Sequence, residues 1–199
     1  MIKSFFGHNH PLITALLQSK NKEGLLSEIS LCLQEGADAI GLQLETLPAS
    51  MRGEAVLSEL FGAAGDVPIY VTCYECDDLV AEDDDARAAT LLRALYCGAT
   101  MADIRCDMFC LSPYEMTDDP IAVGKQMALA DEIHAMNKEV LFSCHVRNGR
   151  FFRFLTSEEV IALANEQKKR GADMAKIVTR ADTDNELSGN FESIIRLRK

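Results

Sequence analysis

Apolar positions along the chain fall into short continuous runs separated by longer stretches with helical spacing. The runs are residues 12–17, Ala39–Glu45, Pro68–Cys73, Ala102–Met108, Val140–His145 and Met174–Val178, and their length predicts strands. Between them, Asn21–Glu35, Glu54–Ala64, Ala86–Cys97, Pro120–Met136, a segment ending at Arg170 and the stretch from Asp184 onward carry apolar residues three or four apart, which predicts helices. Thr156-Ser-Glu-Glu159 has the form of a capping box and marks the start of the fifth helix. Helices close on Gly-Ala, Gly-Asp or Asn-Lys turns. Regular alternation of strand and helix calls for parallel β/α architecture with right-handed crossovers.

The faces of the strands choose between a barrel and an open sheet. Gly41, Gln43 and Glu45 share one face of the second strand, opposite Ile40, Leu42 and Leu44. Thr72 and Tyr74 oppose Val71 and Cys73, Asp103, Arg105 and Asp107 alternate with Ile104, Cys106 and Met108, and Ser143 and His145 alternate with Phe142 and Cys144. Charged residues at this density do not all face a dry core. A barrel with helices outside and a polar interior accounts for them; an open sheet with helices on both faces does not. The expected fold class is therefore α/β, a TIM-type (β/α) barrel formed by one domain over residues 1–199. A full barrel takes about 250 residues, so six βα units leave it incomplete.

Composition narrows the function classes. Hydrophobic residues make up 48% of the 199, which excludes a disordered chain. A formal charge of -11 argues against nucleic acid or an anionic membrane as partner. No apolar run approaches the roughly 20 residues of a membrane span, and the start does not read as a signal peptide. Seven cysteines scattered through apolar segments predict reduced thiols and a cytoplasmic location. The first and sixth strands are unpaired edges in a six-unit sheet, which predicts a homodimer or a fragment of a longer chain.

Lys176 lies inside the sixth strand. An ammonium there is costly to desolvate, and a lysine made partly neutral by burial is the usual nucleophile of Schiff-base chemistry; a lysine at a strand end that snorkels to solvent is the plainer alternative. His145 ends the preceding strand. If both point inward they converge where βα-loop chemistry occurs, an amine to form an imine beside an imidazole to move protons. Cys73, Cys76, Cys106 and Cys110 end neighbouring strands, but their spacing is loose for a zinc site, and buried thiols are the simpler reading. His8 and His10 belong to a solvated arm, and Glu82-Asp-Asp-Asp85 is a solvated loop ahead of a helix.

The order PLITALL, GADAIGLQLETL, VPIYVTCYE, ADIRCDMF, KEVLFSCHVRNGRF, RGADMAKIVTRA resembles the type I 3-dehydroquinate dehydratase (type I dehydroquinase) family over nearly the whole chain. The resemblance implies a (β/α)8 barrel and a shikimate-pathway lyase that dehydrates a cyclic keto-acid through a lysine imine, with a histidine as general acid/base and no cofactor or metal. The family's S-x-H segment is matched by Ser143-Cys-His145 and its GAD-x-x-K segment by Gly171-Ala-Asp-Met-Ala-Lys176. Lys176 and His145 are thus the expected catalytic residues. Gln43, Glu45, Tyr74, Arg105 and Asp107 are the expected substrate contacts, with Glu45 or Asp107 orienting His145. Departures are equally specific. A Glu-x-Arg-x-Asp pattern on strand two is here Gly41, Gln43 and Glu45, a strand-three arginine is Tyr74, and a strand-one serine is Leu16. Ligands supplied by strands seven and eight have no counterpart. Tyr and Gln do not replace an arginine-carboxylate fork, and Arg105, Arg147 and Arg150 are the available substitutes. The alternatives are therefore a Schiff-base lyase or aldolase for another small ketone, or a silent homologue that binds a metabolite or partner.

Overall fold

A computed structural model describes residues 3–74, 83–148 and 151–197. Cys76, Glu82 and Arg150, named above, lie outside the described residues. Contacts divide the chain into two compact units. One holds the residues up to Asp103 together with Glu132–Glu139; the other holds Ile104–Asp131 and the residues from Val140 onward.

The first unit contains β1 (Thr14–Leu17), α1 (Lys22–Gln34), β2 (Ala39–Gln43), α2 (Glu54–Ala63), β3 (Ile69–Thr72), α3 (Asp84–Tyr96) and the start of β4 (Met101–Arg105). Its strands run parallel in chain order, with Leu16 beside Gly41, Gly41 beside Tyr70, and Tyr70 beside Met101. Helices α1, α2 and α3 bury Leu25, Ile29, Leu57, Leu60, Leu91 and Leu95, and the strands bury Ile40, Leu42, Ile69 and Val71. The second unit takes the end of β4, most of α4 (Pro120–Ala135) and, from Val140 onward, β5 (Glu139–His145). It continues with a two-residue hairpin, β6 (Arg147–Asn148) and β7 (Phe151–Phe152), then α5 (Ser157–Lys169), β8 (Met174–Val178) and α6 (Asp184–Leu197). Here β5 and β8 are parallel, with Ser143 beside Lys176 and His145 beside Val178. The strand order β1-β2-β3-β4-β5-β8 is that of a TIM-type (β/α) barrel with six of its βα units.

Helix ends follow the sequence closely. Asn21, Asp83 and Thr156 cap α1, α3 and α5, and the Thr156/Glu159 capping box forms with both reciprocal bonds. Gly36, Gly65, Gly98, Asn137 and Gly171 take positive φ just past α1 to α5, the backbone shape that ends a helix and that glycine or asparagine tolerates. Three of these turns share a further device. After Gly36-Ala, Gly98-Ala and Gly171-Ala comes Asp38, Thr100 or Asp173, whose side-chain oxygen accepts the backbone N–H of Ile13 (2.8 Å), Ile69 (3.1 Å) or Val140 (2.8 Å). Each clasp ties the entry of one strand to the entry of the strand before it. Gly171-Ala-Asp173 is therefore a framework element that ties β8 to β5.

Two strands differ from the expectation of cover on both faces. β1 and β8 are the terminal strands of the order, and most of their residues are partly exposed. In α6 the usual polarity is reversed. Ser193 is buried and Ser157 Oγ donates to Gly189 O, while Leu187, Phe191, Ile194 and Ile195 share an outward face at 48–60% exposure.

Within the second unit, the segment between β4 and α4 is held by Arg170, which is 3% exposed. Its Nη1 donates to Cys106 O (3.2 Å) and Gln126 Oε1 (2.9 Å), its Nη2 to Thr117 O (2.7 Å) and its Nε to Glu166 (3.0 Å). Gln126 in turn donates to Cys106 O and Met108 O. One guanidinium thus grips both ends of the excursion from Cys106 to Thr117, in which Phe109, Tyr114 and Glu115 all have positive φ. Replacing Arg170 by Met keeps the apolar stem but strands these carbonyls, so Arg170→Met should cost about 3–5 kcal/mol in denaturant unfolding. A loss below about 1 kcal/mol would show that the network is solvated and dispensable.

Candidate active site

In the second unit, alternation along β5 sends Cys144 toward α5 and Ser143 and His145 to the other face. Gln167 of α5 marks the covered side, its Nε2 lying 3.5 Å from Cys144 Sγ and 3.2 Å from Lys176 O. Because Ser143 is the register partner of Lys176, the lysine shares the face of Ser143 and His145. His145 stands two residues further along than that pairing. Lys176 and His145 are therefore at different heights on their strands. They are offset by about 6.6 Å along the strands and about 4.8 Å across them. Lys176 is half-buried on a terminal strand rather than fully enclosed.

A carboxylate on His145 comes from Glu115, a residue the sequence had not singled out. A single oxygen, Oε2, lies 2.7 Å from His145 Nδ1 and accepts the His145 backbone N–H at 3.0 Å. Burial pushes the Glu115 carboxyl up, yet the hydrogen bonds and charge of His145, with the charge of Arg105, outweigh it and hold the group below its ordinary range. Arg105, at the end of β4, gives its Nε to Asp107, which sits in the turn beyond the strand and also accepts from Ser112 N–H. Burial raises the Asp107 carboxyl against the pull of Arg105. Arg105 is thus engaged by an internal carboxylate in addition to any role with substrate. No sequence signal announced Glu115, because its position depends on two successive left-handed residues in a loop.

In the first unit, β2, β3 and β4 place their polar positions on one face. Glu45 lies in a short 3-10 turn (Leu44–Thr46) just past β2 and is 7% exposed. Both its oxygens accept from Thr72 Oγ1 (3.0 and 2.8 Å), and Gln43 Nε2 is 3.5 Å away. Tyr74 follows β3 and donates its hydroxyl to Asp103 Oδ2, which also accepts from Tyr70 Oη at 2.7 Å. Asp103 is 2% exposed. Its inward position was legible from the alternation along β4, whereas its bond to Tyr74 was not. Burial lifts the Glu45 carboxyl above its ordinary value, and the charge of Asp103 adds to the lift. Gly41 has no room for a side chain without rearrangement: a Cβ there would meet Leu16 Cδ2 at 2.3 Å and Tyr70 Cδ1 at 3.2 Å.

The described cysteines are free thiols. Cys73 belongs to the first unit and is buried, Cys106 to the second and is buried, and Cys110 is exposed. No group of three or more His, Cys, Asp or Glu able to hold a metal occurs among the described residues. Among those residues, no helix is long and apolar enough to cross a membrane.

A family model described as Type I 3-dehydroquinase matches residues 13–188. The chain belongs to that family. Among curated protein sequences none matches it. Of solved structures, the type I 3-dehydroquinate dehydratase of Clostridium difficile, determined with covalently modified comenic acid, is similar with a TM-score of 0.79 and 17% identity, covering 97% of this chain and 72% of that one. The 3-dehydroquinate dehydratase of Geobacillus kaustophilus HTA426 gives a TM-score of 0.77 at 13% identity, over 96% and 70%. A deoxyribose phosphate aldolase from Aeropyrum pernix is similar at a TM-score of 0.53 and 14% identity, over 85% and 63%. At these identities the structures establish the fold, which dehydratases and aldolases share.

The raised carboxyl of Glu45 gives a testable pH dependence. A carboxyl whose folded pKa lies above its unfolded value destabilises the fold while ionised, and this penalty fades as pH falls through the folded pKa. Glu45→Gln keeps an acceptor for Thr72 and removes the charge. The variant should melt above wild type near pH 7–8, with the gap closing as pH approaches about 4.5. A gap independent of pH would show that Glu45 is ordinary in the fold.

Proposed function

We propose that the protein is a Schiff-base-forming lyase of the type I dehydroquinase family that dehydrates a small cyclic β-hydroxy ketone, with 3-dehydroquinate the first substrate to test. The observation that carries this reading is the register of β5 against β8, which puts Ser143, His145 and Lys176 on one face of adjacent strands. Family membership supports it, since the matched S-x-H and GAD-x-x-K segments are those of the family's histidine and lysine. In the proposed sequence, Lys176 Nζ adds to the carbonyl carbon and the carbinolamine loses water to give an iminium ion. His145 removes the proton from the carbon next to it, forming an enamine. The enamine expels the β-hydroxyl, which leaves as water with the proton held by His145. Hydrolysis of the unsaturated iminium frees the product and returns the lysine. The overall change is loss of one water from the substrate.

A second reading is favoured by one specific feature. At the position where the family has a guanidinium, Tyr74 carries a phenol bound to Asp103. An imine enzyme acting on a ketone without the dehydroquinate carboxylate fits that substitution. Both readings support a small carbonyl compound as partner and place Lys176 at the covalent step.

Borohydride with 3-dehydroquinate should trap an adduct whose mass maps to Lys176, and Lys176→Met should abolish it. His145→Gln should lower turnover by about 100- to 10,000-fold. An adduct with another small ketone but not with dehydroquinate would select the second reading. No adduct with any keto-acid or keto-sugar tried would sink the imine mechanism.

A further inference from the structure

We propose that Glu115 is a positioning residue for His145, holding the imidazole with its proton on Nδ1 so that Nε2 is the ring's basic nitrogen. This inference rests on the proton-transfer role given to His145 above. Three observations within the second unit carry it.

The first is the form of the contact. Glu115 Oε2 bridges the backbone N–H and the ring Nδ1 of the same residue, at 3.0 and 2.7 Å. An ionised carboxylate offers only acceptors, so the ring nitrogen facing it must carry hydrogen. Anchoring backbone and ring to one atom fixes the imidazole's rotation as well as its tautomer, the arrangement in which a histidine's basicity is directed to its other nitrogen.

The second is that the turn delivering Glu115 is an expensive one. Tyr114 (φ 65°) and Glu115 (φ 52°) are consecutive non-glycine residues in the left-handed region, each disfavoured by about 1–2 kcal/mol. Such strain persists where surrounding structure over-determines it, and it concentrates at functional sites. The supports are visible. Arg153 stacks over the Tyr114 ring at 5.3 Å, Ser112 O accepts from Glu115 N–H at 3.1 Å, and Ser112 Oγ closes onto Met116 O at 2.8 Å. Arg170 clamps the ends of the whole excursion.

The third is electrostatic. Arg105 lies near enough for its charge to favour the ionised form of Glu115, while its own Nε is engaged by Asp107. Glu115 is thereby kept as an acceptor while the ring beside it gains and loses a proton during turnover.

Long-range proton–nitrogen NMR on protein labelled with 15N-histidine reads the tautomer directly. The four histidines are resolved by the signal missing in His145→Gln. The wild-type neutral ring should show a protonated Nδ1 and an unprotonated Nε2. Glu115→Ala should move the proton wholly or partly to Nε2, and Glu115→Asp should restore much of the wild-type pattern. With 3-dehydroquinate as probe, Glu115→Ala should lower kcat about 10- to 100-fold with KM nearly unchanged. A wild-type ring protonated on Nε2 overturns the proposal even where a variant fails to fold, and so does an unaltered tautomer or an unaltered kcat in folded Glu115→Ala. Absence of turnover by the wild type counts against the dehydratase reading instead, and the spectrum still decides the role of Glu115.

Discussion

The second unit depends on the enclosure of one guanidinium. Arg170 closes α5, yet its side chain spends its donors on the far side of the β4–α4 excursion, on Cys106 O, Thr117 O and the Gln126 carbonyl. Cys106 O accepts from three partners, since Thr117 N and Gln126 Nε2 also reach it. Burying a cation costs several kcal/mol and is tolerated when each donor finds an acceptor. Here the acceptors belong to a loop that would otherwise relax, because its left-handed residues are individually unfavourable. The electrostatic requirement of the cation and the conformational cost of the loop are met by the same set of bonds. Glu115, and through it the orientation of His145, is downstream of that arrangement.

How much of this could be read from the residues differs by element. Helix ends were legible because Gly36, Gly65, Gly98, Asn137 and Gly171 have a local steric reason to be there. The strands were legible as short apolar runs, and the inward face of β4 and β5 as alternation. What escaped was whatever depends on contacts between distant segments. Glu115 lies 30 positions from His145 and in a conformation that nothing in Pro113-Tyr114-Glu115 dictates. The hairpin of β6 and β7 is too short to leave a pattern. Lys176 looked like a buried charge because parallel strands are usually covered on both faces, and a terminal strand is the exception.

The first unit shows how a polar face can be rebuilt without losing its fold. Gly41 leaves a gap that Leu16 and Tyr70 fill, so the small residue is matched by larger neighbours on both adjoining strands. Burial raises the Glu45 carboxyl, and the hydrogen bond from Thr72 works against that rise. Tyr70 and Tyr74 converge on one oxygen of Asp103, which is 2% exposed. On this face the two buried carboxylates, Glu45 and Asp103, each accept from a hydroxyl.

The clasp at Asp173 governs more than the entry of a strand. Asp173 is locked to Val140 by paired bonds, its N–H to Val140 O and its carboxylate to Val140 N–H. Three residues later on each strand stand Lys176 and Ser143, side by side. The height of the amine is thus measured from the opposite end of the strand, by counting. Inserting one residue between Asp173 and Lys176 would leave the clasp and the hydrophobic pattern recognisable while turning the amine to the face that α5 covers. The three residues between the clasp and the pair thus fix both the height and the face of the lysine.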